Sequence, residues 1–260
     1  MNEIETTNLP NDDHVQHSDE GFTFDWFKLI IGAAICYFWL YSSWTFLIAL
    51  AVVVIIHELG HVTAGKLFGC IIEEMQVFLL SFVSYKPKQV AGGSSWRNIK
   101  WSLGTLPLGG FTVFANRQNH DMDEAEVTVL DKDETTASPY IDDKPAWQQL
   151  LINAGGVLFN FATFLILYFS LSFLPSGWHN ICVAIMILSL ALAVLNILPV
   201  YPLDGGAIIF SFYEMITGRK PSPKFVKICG IIGFIIIIVF FWIFPNWIDS
   251  FLERVFELFF

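Results

Sequence analysis

From Trp26 to Leu67 the chain is apolar almost without interruption, roughly twice the length that one bilayer crossing needs. Tyr41-Ser42-Ser43 is the weak break in that run. It divides the run into a short helix at 26–41 and a longer one at 44–68. Trp26, Phe27 and Lys28 are interfacial residue types, so the first helix could span or lie in the membrane surface. The pattern then changes. Partial alternation in Gln76–Tyr85 and Asn98–Leu103, with Gly92-Gly93 between them, predicts a β-hairpin or small sheet at about 71–115. A polar, acidic loop follows at 116–143. A third helix is expected at 146–174, with a tight return at Pro175-Ser176-Gly177. A fourth apolar segment, 180–198, is broken by Pro199 and Pro202. A short helix follows Asp204-Gly205-Gly206 to about 217, and a last span covers 225–244. The expected fold is a polytopic α-helical membrane protein. It has about five transmembrane helices and a small membrane-associated β-sheet between helices two and three. The expected organisation is an acidic flexible tail at 1–22, an integral membrane domain at 23–250 and a C-terminal tail at 251–260.

Composition strengthens the membrane reading. Of 260 residues 55% are hydrophobic, 26 are Phe and 15% are charged, which excludes an ordinary soluble domain. The formal net charge of −10 comes from the ends and one loop, and it excludes nucleic acid as a partner. The tail to Glu20 holds several acids and no Lys or Arg, unlike a signal peptide or transit peptide. Cys36, Cys70, Cys182 and Cys229 form no close pair, so neither a disulfide framework nor a thiolate metal site is indicated. Lys and Arg cluster at 86–144 and 219–227, whereas the opposite connections, 42–43 and 175–179, have none. The positive-inside rule then puts the sheet on the cytoplasmic side.

The chemistry gathers at His57-Glu58-Leu59-Gly60-His61, which ends the apolar run Ala51–Ile56. Histidines four apart share one helix face and can bind one metal ion, and the intervening glutamate can reach a water on that metal. Ionisable groups at membrane depth are costly and usually functional. A catalytic zinc needs a third protein ligand and an open position. Asp204, in Asn196-Ile-Leu-Pro-Val-Tyr-Pro-Leu-Asp-Gly-Gly206, is the candidate; it could also cap a helix at the membrane surface. Glu58 is the candidate general base, the bland alternative being a buried Glu paired to a polar neighbour. Among the asparagines in apolar helices, Asn196 is the candidate for binding a peptide backbone or steadying an oxyanion. Asn153 and Asn160 fit interhelical packing beside Gly155-Gly156. His14, His17, His120 and His179 read as surface residues.

Together these motifs resemble the site-2 protease family of intramembrane zinc metalloproteases. They are HELGH, PLGGF at 107–111, NAGGVLFN at 153–160 and NILPVYPLDGG at 196–206. The order and approximate spacing cover residues 50–217. The PLGGF region and the run from Ile141 to Phe161 look most like the bacterial branch that cleaves anti-sigma factors. The resemblance implies one Zn2+ per chain on His57, His61 and Asp204, Glu58 as acid/base, and Asn196 engaging the substrate. It implies single-span membrane proteins as substrates, cut within or beside the bilayer of a bacterial inner membrane, with the active site toward the cytoplasm. Anti-sigma factors and signal-peptide remnants are examples of such substrates. The sheet would pair an extended substrate by strand addition. The chain departs from the pattern where only a short turn, 175–179, stands in place of the usual PDZ domain, no CBS domain follows the last helix, and NAGG replaces an AGP-type turn. Two other classes compete: a membrane zinc protease whose third ligand is Glu214, and a non-enzymatic relative that binds membrane helices. A di-iron oxygenase would need further histidine boxes.

Overall fold

The computed structural model describes residues 21–30, 33, 44–88, 95–117 and 138–243. The apolar run that the sequence assigns to a first helix at 26–41 lies mostly outside these residues. Strand β1 (Gly21–Phe24) opens the described chain and straddles the residue-22 boundary expected for the tail. Asp25 follows it and caps a helical turn at 26–30, its Oδ1 accepting the backbone N–H groups of Lys28 and Phe27. The hydrogen bond from the Lys28 amide is the main reason the Asp25 carboxyl titrates below its ordinary value.

Five helices of three turns or more follow among the described residues. They are α1 (Trp44–Leu67), α2 (Ala146–Ser170), α3 (His179–Asn196), α4 (Asp204–Thr217) and α5 (Pro223–Ile243). Four are long and apolar enough to cross a membrane, with spans Thr45–Leu67, Ala146–Phe173, Ser176–Asn196 and Pro223–Phe240. Their outward side chains, such as Phe161, Ile166, Ile231 and Ile235, stay exposed as lipid-facing residues do. Helix α4 is shorter and amphipathic, ending on the left-handed Gly218 (φ 66).

Helix α2 is the hub and packs against α1, α3 and α4. Glycines set its distance from α1: a Cβ on Gly155 would stand 2.5 Å from the Gly60 carbonyl oxygen. Without side chains at that crossing the two backbones touch, the device that packs helices where lipid removes the hydrophobic drive. A second contact zone joins α2 to α3 through buried Phe164, Met186 and Ile187.

The sheet has the order β1-β2-β3, with β2 (Ile72–Lys86) and β3 (Lys100–Phe114) between helices α1 and α2. β2 is bent in its middle, where Phe78 (φ 65) and Leu80 (φ 56) adopt left-handed backbone. The bend divides the pairing. Ile72–Val77 runs antiparallel to 110–114, while Ser81–Tyr85 runs antiparallel to 101–104. Residues 100–103 also lie beside 74–77, so they sit between the two halves of β2. Among the described residues no strand lies on the far side of 110–114. Val54 and Val62 of α1 pack with Ile72, Met75, Val77 and Phe78 of β2, which seats the sheet on the helix that bears HELGH.

At the sheet's end of the bundle, Arg117 and Ser138 both donate to Asp143. Lys220, from the α4–α5 turn, donates to the carbonyl of Asp142. The two basic clusters of the sequence therefore meet at one end of the molecule.

Candidate metal centre

His57 and His61 lie in α1, one turn apart, and both are buried. Their Nε2 atoms are 3.3 Å from each other. Asp204 Oδ2 lies 3.0 Å from His57 Nε2 and 3.3 Å from His61 Nε2. This is the grouping of three metal-ligating side chains among the described residues. A tetrahedral zinc with bonds of about 2.0–2.1 Å holds its ligand atoms about 3.3–3.4 Å apart, close to these separations.

Asp204 is delivered by the broken segment between α3 and α4. Leu203 occupies the cap position in extended backbone, and Asp204 is the first helical residue. Its carboxylate turns to the histidines rather than capping its own helix. The turn is tight: a Cβ on Gly205 would stand 2.5 Å from the Ile197 carbonyl oxygen, and one on Gly206 would stand 2.5 Å from Tyr201 Cα. Both glycines are needed for that close approach. Beyond it, Tyr201 packs on Gly230 and Gly233 of α5, which anchors the loop to the last helix.

The proton count around the site points to a cation. His61 Nδ1 donates to the backbone carbonyl of Ile152 at 2.9 Å, which in the neutral ring leaves a lone pair on Nε2. Asp204 Oδ2 is buried and, among the described residues, accepts no well-formed hydrogen bond. The carboxylate oxygen and the His61 lone pair therefore share one small space with His57 Nε2. Such a cluster is costly unless a cation or proton joins it. A zinc ion satisfies all three donors, and their hard-to-borderline N/O character suits it.

Glu58 lies beside this cluster and is buried. Its Oε2 accepts a 2.8 Å hydrogen bond from Thr112 Oγ1, on the outer half of β3. A Cβ on Gly110 of the same half would stand 3.0 Å from Glu58 Oε1 and Cγ. The sheet edge and the candidate base are thus in direct contact. Asn196 is buried as the last residue of α3. Glu214 is half-buried on α4, ten residues beyond Asp204, and does not join the metal-ligating group.

Three participants were not picked out as site residues from the sequence. Gly156 leaves the room in which the imidazoles stand, since a Cβ there would be 2.5 Å from His57 Cε1 and from His61 Nε2. Thr112 holds Glu58. Asn160, read from sequence as packing, has its side-chain amide 3.1 Å from His57 Nδ1. The signal available for Gly156 and Asn160 was spacing: residues 152, 156 and 160 recur every four along α2 and so share one face.

The sequence profile of Peptidase family M50 matches residues 45–176 and 172–240. Metalloprotease MmpA of Caulobacter vibrioides is 30% identical over 124 residues, covering 44% of this chain and 29% of that protein. A Rickettsia conorii protein, whose name carries the words zinc metalloprotease, is 50% identical over 65 residues, covering 25% of this chain and 18% of its own length. The matched stretches thus span less than a third of these relatives. Among solved structures, the site-2 protease from Methanocaldococcus jannaschii aligns with a TM-score of 0.46 at 18% identity, over 88% of this chain and 82% of that one.

Proposed function

The chain belongs to Peptidase family M50, and from that membership we propose that it is a zinc metalloendopeptidase working within the membrane. The observation that carries this reading is the meeting of His57 Nε2, His61 Nε2 and Asp204 Oδ2 beside Glu58, where the two histidines and the glutamate lie on α1, a helix long enough to cross a bilayer. His57, His61 and Asp204 would hold the ion. Bound zinc would make a water acidic and polarise the scissile carbonyl. Glu58 would take the proton from that water and return it to the leaving amine. Thr112 donates to Oε2 and would thereby orient the carboxylate.

The proposed substrates are single-span membrane proteins, in the setting of regulated proteolysis of anti-sigma factors or the removal of signal-peptide remnants. The outer half of β3, residues 110–114, supports this class. A substrate helix hides its carbonyls in its own hydrogen bonds and must become extended before attack. A strand edge that touches the base could hold the extended form by backbone pairing. Asn196 would bind the substrate backbone. The proposed setting is the inner membrane of a bacterium with the active site toward the cytoplasm; the positive-inside rule applied to the two basic clusters, joined where Lys220 meets Asp142, supports that sidedness.

The test is a purified chain in liposomes with a single-span fusion as substrate. The wild type is expected to carry one zinc and to cleave. Glu58→Gln is expected to keep the zinc and to lose about 10²–10⁴-fold in rate, the range for a general base. Glu58→Gln cleaving at the wild-type rate, or a wild type that takes up no zinc, overturns the reading.

A further inference from the structure

Helix α2 surrounds the metal-binding pair from behind, and its residues act on the ring nitrogens that face away from the site. His61 has its outer nitrogen settled: Nδ1 meets the Ile152 carbonyl at 2.9 Å. A backbone carbonyl can only accept, so His61 carries a proton on Nδ1, and its neutral ring presents a bare Nε2. Among the described residues no carbonyl pairs with His57 Nδ1. What it meets is the side chain of Asn160, two turns along α2 from Ile152, with the amide 3.1 Å from Nδ1. Asn160 is fully buried, and among the described residues its Oδ1 has no hydrogen-bond partner. Such an orphan in an apolar helix asks for an explanation.

An amide differs from a carbonyl in offering both a donor and an acceptor of nearly the same shape. With Nδ2 toward the ring, as here, Asn160 donates to Nδ1, and His57 carries its proton on Nε2, where it faces Asp204 Oδ2 at 3.0 Å. That tautomer cannot bind a metal through Nε2. A half-turn of the amide brings the unpartnered Oδ1 to the ring instead. Nδ1 then carries the proton and donates it, and Nε2 turns a lone pair toward His61 Nε2 and Asp204 Oδ2.

We propose that Asn160 is the positioning residue that sets the tautomer of His57, accepting a hydrogen bond from Nδ1–H through Oδ1 and so presenting Nε2 as a metal ligand. The proposal rests on the metal-site reading above. Ile152 and Asn160 would then be one device on one face of α2, a fixed acceptor for His61 and a rotatable one for His57, with Gly156 between them clearing the space. Outer partners of this kind orient metal-ligating histidines and raise their basicity. They act through the ligand and touch neither substrate nor ion.

The experiment measures zinc affinity by chelator competition on full-length protein in detergent, for the wild type, Asn160→Leu and Asn160→Asp. Leu keeps the approximate volume and removes the acceptor; Asp is acceptor-only and keeps the shape. Asn160→Leu is expected to bind zinc about 10–100-fold more weakly, the usual cost of losing such a partner. Asn160→Asp is expected to bind at least as tightly as the wild type. Equal affinity in wild type and Asn160→Leu overturns the proposal, as does equal weakening by Leu and Asp. Should Asn160→Leu fail to fold, ¹⁵N spectra of the wild-type imidazoles decide. Zinc-loaded His57 should show its Nδ1 proton in a hydrogen bond that Asn160→Asp preserves or strengthens, and an Nδ1 proton with no hydrogen bond rejects the idea. A wild type that takes up no zinc at all fails the metal reading itself, and this inference with it.

Discussion

At the scale of single residues, the site depends on what is missing as much as on what is present. Gly156 has no side chain because two imidazoles occupy that space. Gly156→Ala forces a methyl to within 2.5 Å of both rings. It should cost about 1–3 kcal/mol of overpacking, and the rings must shift, so zinc content should fall below one per chain. Metal analysis of the purified variant checks this, and full zinc at unchanged affinity would contradict it. Thr112→Val makes the complementary test. It removes the donor to Glu58 Oε2 without touching the three candidate ligand atoms. A lost hydrogen bond to a charged group is worth about 1.5–3 kcal/mol. The turnover rate should therefore drop by at least about tenfold while zinc binding stays at the wild-type level. Parallel kinetics and chelator titration separate the two. Asp204→Ala should abolish tight zinc binding outright; retention of the metal would return Glu214 to consideration.

At the scale of elements, the bent strand β2 is the unexpected part. Alternation at 76–85 predicts a strand, and a strand forms, but Phe78 and Leu80 take left-handed backbone within it. A left-handed residue that is not glycine costs about 1–2 kcal/mol. The bend lets 100–103 lie between the two halves of β2 and leaves 110–114 outermost, against Glu58. Leu80 is about half exposed, so its side chain contributes little to the core. Leu80→Gly should therefore be neutral or stabilising by up to about 1 kcal/mol, since relief of the strained φ offsets the entropy of glycine. A thermal melt in detergent checks this. A loss of more than about 2 kcal/mol would mean that the leucine packs on something the backbone argument ignores. Alternation cannot report such a bend, because the bend is set by where β3 must pass.

At the scale of the whole molecule, the proposed zinc joins the N-terminal and C-terminal halves of the membrane domain. His57 and His61 belong to α1, Asp204 to α4, and the hub helix α2 lies against both. A ligand that binds only the folded state raises stability by about 2.7 kcal/mol at a hundred times its dissociation constant. Stripping the metal with a chelator should lower the melting temperature. Adding zinc back should restore it in the wild type but not in Asp204→Ala. An equal melting temperature with and without metal would show that the helices hold the ligands together unaided.

Much of this was legible in the chain because the bilayer simplifies the reading. A span must be long and apolar, so 44–68, 146–174, 180–198 and 225–244 agree with the helices to within a few residues. Polar residues at membrane depth stand out against that background, which is why HELGH and Asp204 could be named at all. The motif spacing also led to the family whose profile covers most of the chain. Other features were decided only by tertiary structure, because they are relations between distant segments. Local pattern has no term for the docking of β1 on β2, the bend at Phe78 and Leu80, or the contact of Thr112 with Glu58. The same holds for Asn160. Along the sequence it is one polar residue in an apolar helix, consistent with packing glue. Only the crossing of α1 and α2, drawn close by Gly60 and Gly155, turns its amide toward His57.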